Sequence, residues 1–353
     1  MRVAYDAGPL LGTPTGVGRY AGELADALTT RGVNVQRYAI SFGAPSDVRV
    51  RRWKVPARAV QRSWMTWGRP VPRSLFEGCD VVHATNFVLP PTGDQPGVVT
   101  VHDLSFHRDD VFPGGQRLRD VVPWSLGHAA AAIVPTRAIA DELAERHGFP
   151  TDRIFVTYEG VSGTFFGTTP LSAVALGQMG IPGPFALAVG TLEPRKNLVR
   201  LCEAWRAASS ELEGWRLVLA GPRGWGPELP ETEGVMPIGY VDDHTLPGLM
   251  AAADIFCYPS LYEGFGLPPL EAMATGTACL VGRYSAAEEV LGDSALLVDP
   301  NDTDEIAGGL ARLATDGAFR RRLALEGRAC AAAYTWEGTA HETKKVYEGV
   351  LST

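Results

Sequence analysis

Short apolar segments alternate with helical patterns along almost all of the 353 residues, and this alternation restricts the fold more than any other feature. The apolar segments, such as residues 185–189, carry hydrophobic side chains at consecutive positions rather than at every second position. Strands of this kind are buried on both faces, as in parallel sheets that helices cover on each side. We therefore predict an α/β fold with doubly wound parallel sheets.

The individual elements follow from composition and periodicity. The predicted strands are residues 2–6, 33–40, 80–84, 98–102, 132–135, 154–158, 185–189, 216–220, 236–240, 255–258, 278–281 and 295–298. The predicted helices are residues 20–30, 138–147, 198–209, 246–253, 269–275, 304–315 and 336–351. Ligands of such sheets bind beyond the carboxyl ends of the strands, so polar residues at those ends are the candidates for chemistry.

The series of strands and helices breaks once, at residues 162–184, which are rich in Gly, Pro and Thr and contain at most one short helix. A chain of this length is too long for one ordinary core. We predict an N-terminal domain at 1–165, a linker at 166–184, a C-terminal domain at 185–335 and a final helix at 336–353.

Composition excludes several classes of protein. The formal net charge of -8 argues against a nucleic-acid partner, because nucleic-acid binders are normally basic. No apolar run approaches the roughly 20 residues that span a bilayer, and residues 1–8 resemble a strand rather than a signal peptide. We expect a cytoplasmic protein.

The segment at residues 262–280 holds two carboxylates, Glu263 and Glu271, around a glycine-rich turn and a helix start. The residues of the turn and helix start are Gly264, Phe265, Gly266 and Leu267. Exposed amides at a helix start bind phosphate, and carboxylates accept hydrogen bonds from hydroxyls. A ligand with phosphates in its middle and hydroxyls on both flanks fits this pattern, and a nucleotide sugar is such a ligand.

Two adjacent cations, Arg195 and Lys196, lie between the strand at 185–189 and the following helix. Cations at a helix start oppose the helix dipole, so an anion is the natural compensation, and a diphosphate suits the pair. The alternative is a solvated pair of cations on a loop.

Two further segments are candidates for substrate contact. His102 and Asp103 follow the apolar run at 98–101, where they could hold a hydroxyl or a phosphate oxygen, although Asp103 could instead cap a turn. Gly16 and Gly18 precede a helix and permit close approach of backbone to a ligand, although an ordinary turn explains them as well. His83 is interpreted as a packed structural residue.

Two acidic clusters have a composition that could suit a metal site. The cluster at 302–305 has a D-x-D form, and Asp242 and Asp243 form the second cluster. Both precede predicted helices, where capping and the helix dipole account for acidic residues. We therefore expect no metal and no cofactor.

A basic stretch at residues 49–73 lacks any acid and interleaves arginines with tryptophans. Its members are Arg49, Arg51, Arg52, Trp53, Lys54, Arg58, Arg62, Trp64, Trp67, Arg69 and Arg73. Such a surface suits an anionic interface, which would place the protein at the inner face of the plasma membrane. A basic face with its tryptophans in the core remains the alternative.

Together these stretches resemble the retaining GT-B glycosyltransferases with an E-x7-E motif, a family 4-like group, and in particular its mannosyltransferase-like subgroup. The matching motifs are residues 15–20, 83–86, 100–106, 190–198, 239–241 and 263–277. Two positions depart from the family pattern, Thr15 where many relatives have glycine and residues 275–278 where Cys-Gly-Thr-Pro is common.

The resemblance implies two Rossmann-like domains that face each other across a cleft, with the last helix crossing back to the N-terminal domain. It implies transfer of a sugar, mannose from GDP-mannose in many relatives, with retention and without a metal. The acceptor would be a glycan, a lipid-linked molecule or a small molecule.

The resemblance also assigns roles to residues. Arg195 and Lys196 would neutralise the donor diphosphate, Glu271 would hold the ribose, and Glu263 would bind the sugar. The remaining contacts, to the donor or the acceptor, would come from Gly16, Gly18, His102, Asp103, Gly264, Phe265, Gly266, Leu267 and the backbone near Tyr240. The alternatives are an epimerase or phosphorylase of similar fold, and a non-catalytic protein that binds nucleotide sugars.

Overall fold

The computed structural model describes residues 1–11, 16–42, 50–108 and 115–352. The chain divides into two compact units, the first made of Met1–Gly160 and Thr335–Thr353, and the second of Val161–Tyr334. Residues 166–184, which the sequence predicted as a linker, belong to the second unit. Thr15 and Arg49, which belong to segments considered above, lie outside the described residues.

The first unit contains a parallel sheet that has seven strands in the described part of the chain. Its strands are β1 (Arg2–Asp6), β2 (Asn34–Ile40), β3 (Arg51–Trp53), β4 (Val81–Ala84), β5 (Gly97–Thr100), β6 (Ala131–Val134) and β7 (Ile154–Val156). Their order is β3-β2-β1-β4-β5-β6-β7, and each neighbouring pair is parallel. The chain therefore changes direction across the sheet between β1 and β4, which is the topological switch point of this unit.

Five helices connect these strands in the described residues. They are α1 (Gly16–Thr30), α2 (Ala57–Trp67), α3 (Arg73–Phe76), α4 (Gly115–His128) and α5 (Arg137–His147). Thr136 caps α5 because its side chain accepts a hydrogen bond from the Ile139 amide, and Gly148 ends the helix in the left-handed conformation.

The second unit contains a parallel sheet with the order β10-β9-β8-β11-β12-β13. The strands are β8 (Phe185–Val189), β9 (Arg216–Ala220), β10 (Val235–Gly239), β11 (Ile255–Tyr258), β12 (Ala278–Gly282) and β13 (Leu296–Val298). The helices are α6 (Gly163–Phe166), α7 (Ala173–Gln178), α8 (Leu198–Ala207), α9 (Leu246–Ala252), α10 (Leu267–Ala274), α11 (Ser285–Leu291), α12 (Thr303–Thr315) and α13 (Gly317–Ala331). Here the switch point lies between β8 and β11.

The last helix, α14 (Trp336–Leu351), returns to the first unit and packs against α1. Gly160 makes this return possible, since a Cβ atom at Gly160 would lie 2.3 Å from the Trp336 amide nitrogen. A larger residue at position 160 would force the two chain segments apart.

A buried polar network ties α14 to the sheet. The Nδ1 atom of His83 lies 2.6 Å from the Tyr347 hydroxyl, and its Nε2 atom lies 2.8 Å from Thr100 Oγ1. Thr100 Oγ1 in turn lies 3.1 Å from the Tyr20 hydroxyl. Burial lowers the pKa of His83 to about 3, so the imidazole stays neutral. His83 is thus the packed structural residue that the sequence indicated.

The prediction of doubly wound parallel sheets is confirmed, and each predicted strand overlaps a strand of the structure. Among the elements that the sequence did not predict are β3, which is only three residues long and mostly charged, and α4, which contains Pro123. In the described residues no helix is both long enough and apolar enough to cross a membrane.

Candidate active site

The charged candidates of the second unit lie at its switch point. The loop after β8 carries Arg195 and Lys196, and the loop after β11 carries Glu263. Because β8 and β11 are parallel neighbours, both loops leave the same edge of the sheet. The sheet thus gathers side chains that are far apart in the chain.

The first of these loops has a fixed shape. Pro194–Lys196 form a short 3-10 turn, and Asn197 adopts the left-handed conformation with φ of 59°. The Asn197 side-chain amide donates to the carbonyl oxygens of Pro259, at 3.1 Å, and Pro300, at 2.6 Å. The Leu261 amide donates to the Arg195 carbonyl over 2.9 Å, which joins the two loops directly.

Four charged side chains form a cluster between the loops, which we call the ion cluster: Glu193, Arg195, Lys196 and Glu263. Lys196 Nζ lies 2.7 Å from Glu263 Oε1, while Arg195 Nη1 donates to Glu263 Oε2. Arg195 Nη2 donates to Glu193 Oε1 over 2.6 Å. All four side chains are mostly buried, so solvent screens their interactions weakly.

The ion cluster balances two cations against two carboxylates. Burial alone would raise the pKa of Glu263, but the charges of Arg195 and Lys196 outweigh burial and hold this pKa at about 2. Burial and the adjacent guanidinium lower the pKa of Lys196, and Glu263 opposes that change. Glu263 is therefore ionised at neutral pH, and its carboxylate accepts from Lys196, Arg195 and the Tyr258 hydroxyl, which uses three of its roughly four lone-pair sites.

The second loop leads into α10. Gly266, the N-cap residue, has a φ of 101°, a conformation that L residues rarely adopt. The helix then begins at Leu267, and because Pro268 and Pro269 in its first turn carry no N–H, the backbone amides offered at the helix start are those of Gly266 and Leu267. Phe265 is buried and packs edge-on against Tyr334, while Glu271 is buried within α10 with 2% of its surface exposed.

Several polar residues beside the ion cluster were not predicted from the sequence. The Tyr284 hydroxyl and Ser260 Oγ are buried, and neither has a hydrogen-bond partner among the described residues. Burial raises the pKa of Tyr284, and the nearby Glu263 carboxylate raises it further, so the hydroxyl keeps its proton. Tyr258 looks like an ordinary strand residue in the sequence, yet its hydroxyl accepts from Lys196. All of these residues lie at or just beyond strand ends, which is the only signal that could have found them.

In the first unit, His102 is held by the protein itself. Its Nε2 atom lies 2.9 Å from the Thr85 carbonyl oxygen, and its Nδ1 atom lies 3.2 Å from Glu159 Oε1. A carbonyl can only accept, so Nε2 must carry a proton. Tyr20 packs edge-on against the ring. Glu159, which no sequence motif indicated, follows β7 just as His102 follows β5.

The other predicted residues occupy varied positions. Asp103 Oδ1 accepts from the Ser105 amide, at 2.9 Å, and from the Ser105 hydroxyl, at 2.7 Å, which is the capping alternative considered above. Gly16 begins α1 with open space where a Cβ would lie, and Gly18 is buried two residues later. Tyr240 follows β10 at the edge of the second sheet and is 54% exposed.

The two acidic clusters bond to nearby backbone amides. Asp302 is the N-cap of α12 and accepts from the amides of Asp304 and Glu305, as the sequence predicted. Asp242 accepts from the amides of His244 and Thr245 in the turn before α9, whose N-cap residue is Thr245. Across the part of the chain that the structure describes, no three His, Cys, Asp or Glu side chains come together in a way that could hold a metal ion.

The two sheets, each with its own switch point, reproduce a known architecture. HepE of Anabaena, whose structure was solved in complex with UDP and glucose, superposes with a TM-score of 0.76 at 17% identity, covering 99% of this chain and 100% of that chain. The fold is that of the GT-B glycosyltransferases.

Sequence comparisons assign the chain more closely. A model described as "Glycosyl transferases group 1" matches residues 181–329, and one described as "Glycosyltransferase Family 4" matches residues 14–163. The O-antigen chain mannosyltransferase B of Escherichia coli is 32% identical over 283 residues, covering 76% of this chain and 74% of the relative. The serotype-specific mannosyltransferase WbdA of Escherichia coli is 30% identical over 290 residues, covering 76% of this chain but only 35% of the relative. The chain belongs to the family 4-like glycosyltransferases of GT-B fold and is similar to the mannosyltransferases among them.

Proposed function

We propose that the protein is a retaining, metal-independent glycosyltransferase that moves mannose from GDP-mannose to a saccharide acceptor. The observation that carries this proposal is the ion cluster at the switch point of the second sheet, with Lys196 and Arg195 held in place by Glu263. The donor diphosphate would bind beside these cations and the amides at the start of α10.

The proposed chemistry follows from where charge develops. Breaking the anomeric C–O bond leaves an oxocarbenium-like sugar and adds negative charge to the departing diphosphate. Lys196, Arg195 and the helix-start amides would stabilise that charge, and preorganised groups of this kind usually make the greatest single contribution to catalysis. Glu263 would serve twice, since it fixes both cations before the donor arrives and can accept a hydrogen bond from a sugar hydroxyl.

Two features of the reaction are expectations of this proposal. The two cations and the helix start would supply the charge that a divalent metal provides in other transferases, so no metal would be needed. Glu263 is already engaged by Lys196 and Arg195, so it would not act as a covalent nucleophile. Retention would then come from attack of an acceptor hydroxyl oxygen on the face that the leaving group vacates, with the hydroxyl proton passing to the departing diphosphate oxygen.

The donor and the acceptor class are supported by the relatives. Both Escherichia coli relatives are named mannosyltransferases, and one is named for the O-antigen chain, a glycan. HepE, which was solved with UDP and glucose, shows that the same fold also accommodates another nucleotide and sugar. We therefore place GDP-mannose first and a UDP-sugar second.

Contact with an anionic membrane would bring a lipid-linked acceptor to the enzyme, and α2 supports this part of the proposal. Arg58 and Arg62 are exposed on α2, and Trp67 at its end is 74% exposed. Trp64 is instead buried in the core, so the tryptophans of the stretch divide between the two alternatives. Arg51 donates to the Glu77 carbonyl and lies in β3, which makes it part of the fold.

A binding panel followed by a transfer assay tests the proposal. GDP-mannose at about 100 times its dissociation constant should stabilise the protein by about 2.7 kcal/mol in thermal denaturation. UDP-, ADP- and dTDP-sugars at the same concentration should stabilise it less. GDP should then be released only when a saccharide acceptor such as methyl α-D-mannopyranoside is present, and release should persist in excess chelator. The product should keep the α configuration in its proton NMR spectrum. Failure of every nucleotide sugar to stabilise the protein would refute the proposal.

A further inference from the structure

The first unit has a cavity of about 450 Å³ at its own switch point. The cavity lies beyond the carboxyl ends of β1, β2 and β4, and α2 and α4 form part of its wall. Its volume falls within the range of about 300–1,000 Å³ that is typical of small-molecule sites. Most of the residues that line the cavity lie outside the sequence motifs described above.

A carboxylate and a phenol meet on one side of this cavity. Asp6 of β1 pairs in register with Tyr38 of β2, so both side chains leave the same face of the sheet. Tyr38 is only 1% exposed, and its hydroxyl has no hydrogen-bond partner in the described residues. Burial, and then the nearby Asp6 carboxylate, raise the pKa of Tyr38, so its hydroxyl remains a donor. A buried hydroxyl without a partner costs free energy unless a ligand or water satisfies it.

A second unpartnered group lies across the cavity. Asn86, two residues beyond β4, has a buried side-chain carbonyl oxygen with no partner in the described residues. The next residue, Phe87, holds a φ of 60°, a strained conformation for a non-glycine residue, and it also lines the cavity. The cavity therefore presents one unused donor and one unused acceptor.

The charges and the walls of the cavity restrict its ligand. Among the described residues that line the cavity, Asp6 and Arg117 are the only acidic and basic ones, so the formal charges of the lining sum to zero. Arg117 Nε donates to Gln61 Oε1 over 2.7 Å, which uses part of its capacity. Trp64 and Phe87 add aromatic surface. A balanced site of this kind suits a neutral ring with many hydroxyls, whose C–H faces pack on aromatic side chains, better than a phosphate or an alkyl chain.

We infer that this cavity binds the acceptor through a neutral pyranose unit, whose hydroxyls bond to the Tyr38 hydroxyl, the Asn86 amide and the Asp6 carboxylate. This inference rests on the proposed glycosyl transfer and deepens it, because it names the chemical class of the acceptor group. Specificity would follow from these hydrogen bonds, since a sugar ring that lacks one of the matching hydroxyls leaves a buried polar group of the protein unsatisfied.

Saccharide binding is measured directly, without the donor. Methyl glycosides of mannose, glucose, galactose and N-acetylglucosamine are titrated into the full-length protein by saturation-transfer NMR. At least one should saturate the wild type, and Tyr38→Phe and Asp6→Asn should each weaken its binding by about five- to tenfold, the loss of one buried hydrogen bond. Tyr347→Phe is the matched control, because Tyr347 is a buried tyrosine of the same unit outside the cavity and should leave the binding unchanged.

The outcomes separate this inference from the proposed function. If no glycoside saturates the wild type, if Tyr38→Phe binds as tightly as the wild type, or if inorganic phosphate displaces the glycoside, the saccharide site is wrong. Stabilisation by GDP-mannose is measured on the same samples, and it depends on the second unit. A protein that binds the nucleotide sugar but no glycoside would keep the proposed function and overturn the acceptor site. A protein that binds a glycoside but no nucleotide sugar would do the reverse.

Discussion

Lys196 Nζ lies 2.7 Å from Glu263 Oε1 although 67 positions separate these residues in the chain. The contact exists because β8 and β11 are parallel neighbours whose following loops leave one edge of the sheet. Each charge offsets part of the cost of burying the other, since an unpaired buried charge is costly. The pair is thus a structural unit as well as the proposed place of the donor diphosphate.

Removal of the ammonium group tests its role in catalysis. We expect Lys196→Ala to lower turnover with GDP-mannose by at least ~100-fold, because one preorganised donor to the developing charge is worth roughly 3 kcal/mol. Arg195→Ala should have a comparable effect. Initial rates of GDP release measure the change, and circular dichroism verifies that the variants fold.

The matched control is Lys344→Ala, which removes a lysine from the exposed face of α14 in the first unit, where it pairs with Glu348 at 3.3 Å. Such an exposed pair contributes little to stability. Turnover of Lys344→Ala should equal that of the wild type. Near-normal turnover of both ion-cluster variants would show that the cations do not stabilise the leaving group.

Stability should depend on pH through Glu263. Its folded-state pKa of about 2 lies below the ordinary value of 4.5, so the ionised carboxylate stabilises the fold. That contribution, on the order of 3 kcal/mol, is complete above about pH 5 and is lost as the pH falls through 2. Urea denaturation should therefore show a gap in the free energy of unfolding between wild type and Glu263→Gln that narrows below about pH 4. A gap of constant size at all pH values would contradict the ion pairing.

The turn before α10 should require glycine. In Gly266→Ala the backbone of the alanine would have to keep a φ near 101°, and its Cβ would lie 3.1 Å from the Tyr284 hydroxyl. We expect a loss of about 1–3 kcal/mol in the free energy of unfolding and a higher KM for the donor, because the helix-start amides would move. Gly308→Ala is the control, since Gly308 lies in α12 with open space around it and should gain about 0.5–1 kcal/mol. Equal effects of the two substitutions would show that the turn is not strained.

Two buried tyrosines of the first unit should respond differently to the loss of the hydroxyl. Tyr347→Phe leaves His83 Nδ1 without its partner at 2.6 Å and should reduce the free energy of unfolding by about 1–3 kcal/mol. Tyr38→Phe removes a hydroxyl that has no partner in the described residues, so it should leave that free energy unchanged or raise it. Chemical denaturation compares the two variants, and a greater loss in Tyr38→Phe would contradict the described network.

The exposed face of α2 predicts binding to anionic vesicles. The double variant Arg58→Gln/Arg62→Gln should bind phosphatidylglycerol-containing vesicles about 30-fold more weakly than the wild type at low salt, as measured by co-sedimentation, because each basic residue contributes about 1 kcal/mol. Arg321→Gln/Arg322→Gln removes two exposed charges from α13 instead and should sediment normally. Absence of wild-type binding would remove the membrane from the proposal.

Much of the fold could be predicted because parallel strands that are buried on both faces are uninterrupted apolar runs. The exceptions have physical reasons. The segment Arg51–Trp53 pairs as β3 only because Tyr38–Ile40 of β2 offers it an edge, so nothing in its own composition indicates a strand. Pro123 within α4 removes a backbone donor, and a helix that contains proline is held by tertiary packing rather than by local preference.

The candidate site was predictable to the extent that its residues are charged and lie at strand ends. Arg195, Lys196 and Glu263 stand out for that reason, whereas Tyr284 has the sequence appearance of a core residue. The partner of His102 could not be predicted, because Glu159 reaches it only through the order β5-β6-β7 of the sheet. Chemical type is visible in the sequence, but pairing between distant residues depends on topology.

The division of the first unit into two separate segments has a consequence for synthesis. A ribosome completes Val161–Tyr334 before Trp336–Leu351 emerges, so the nascent N-terminal sheet must wait for the helix that covers its core. Until then the faces of Tyr20 and His83 that α14 covers are exposed to chaperones or to aggregation. A nonsense mutation just before Trp336 would therefore destabilise the N-terminal sheet, although it removes only C-terminal residues.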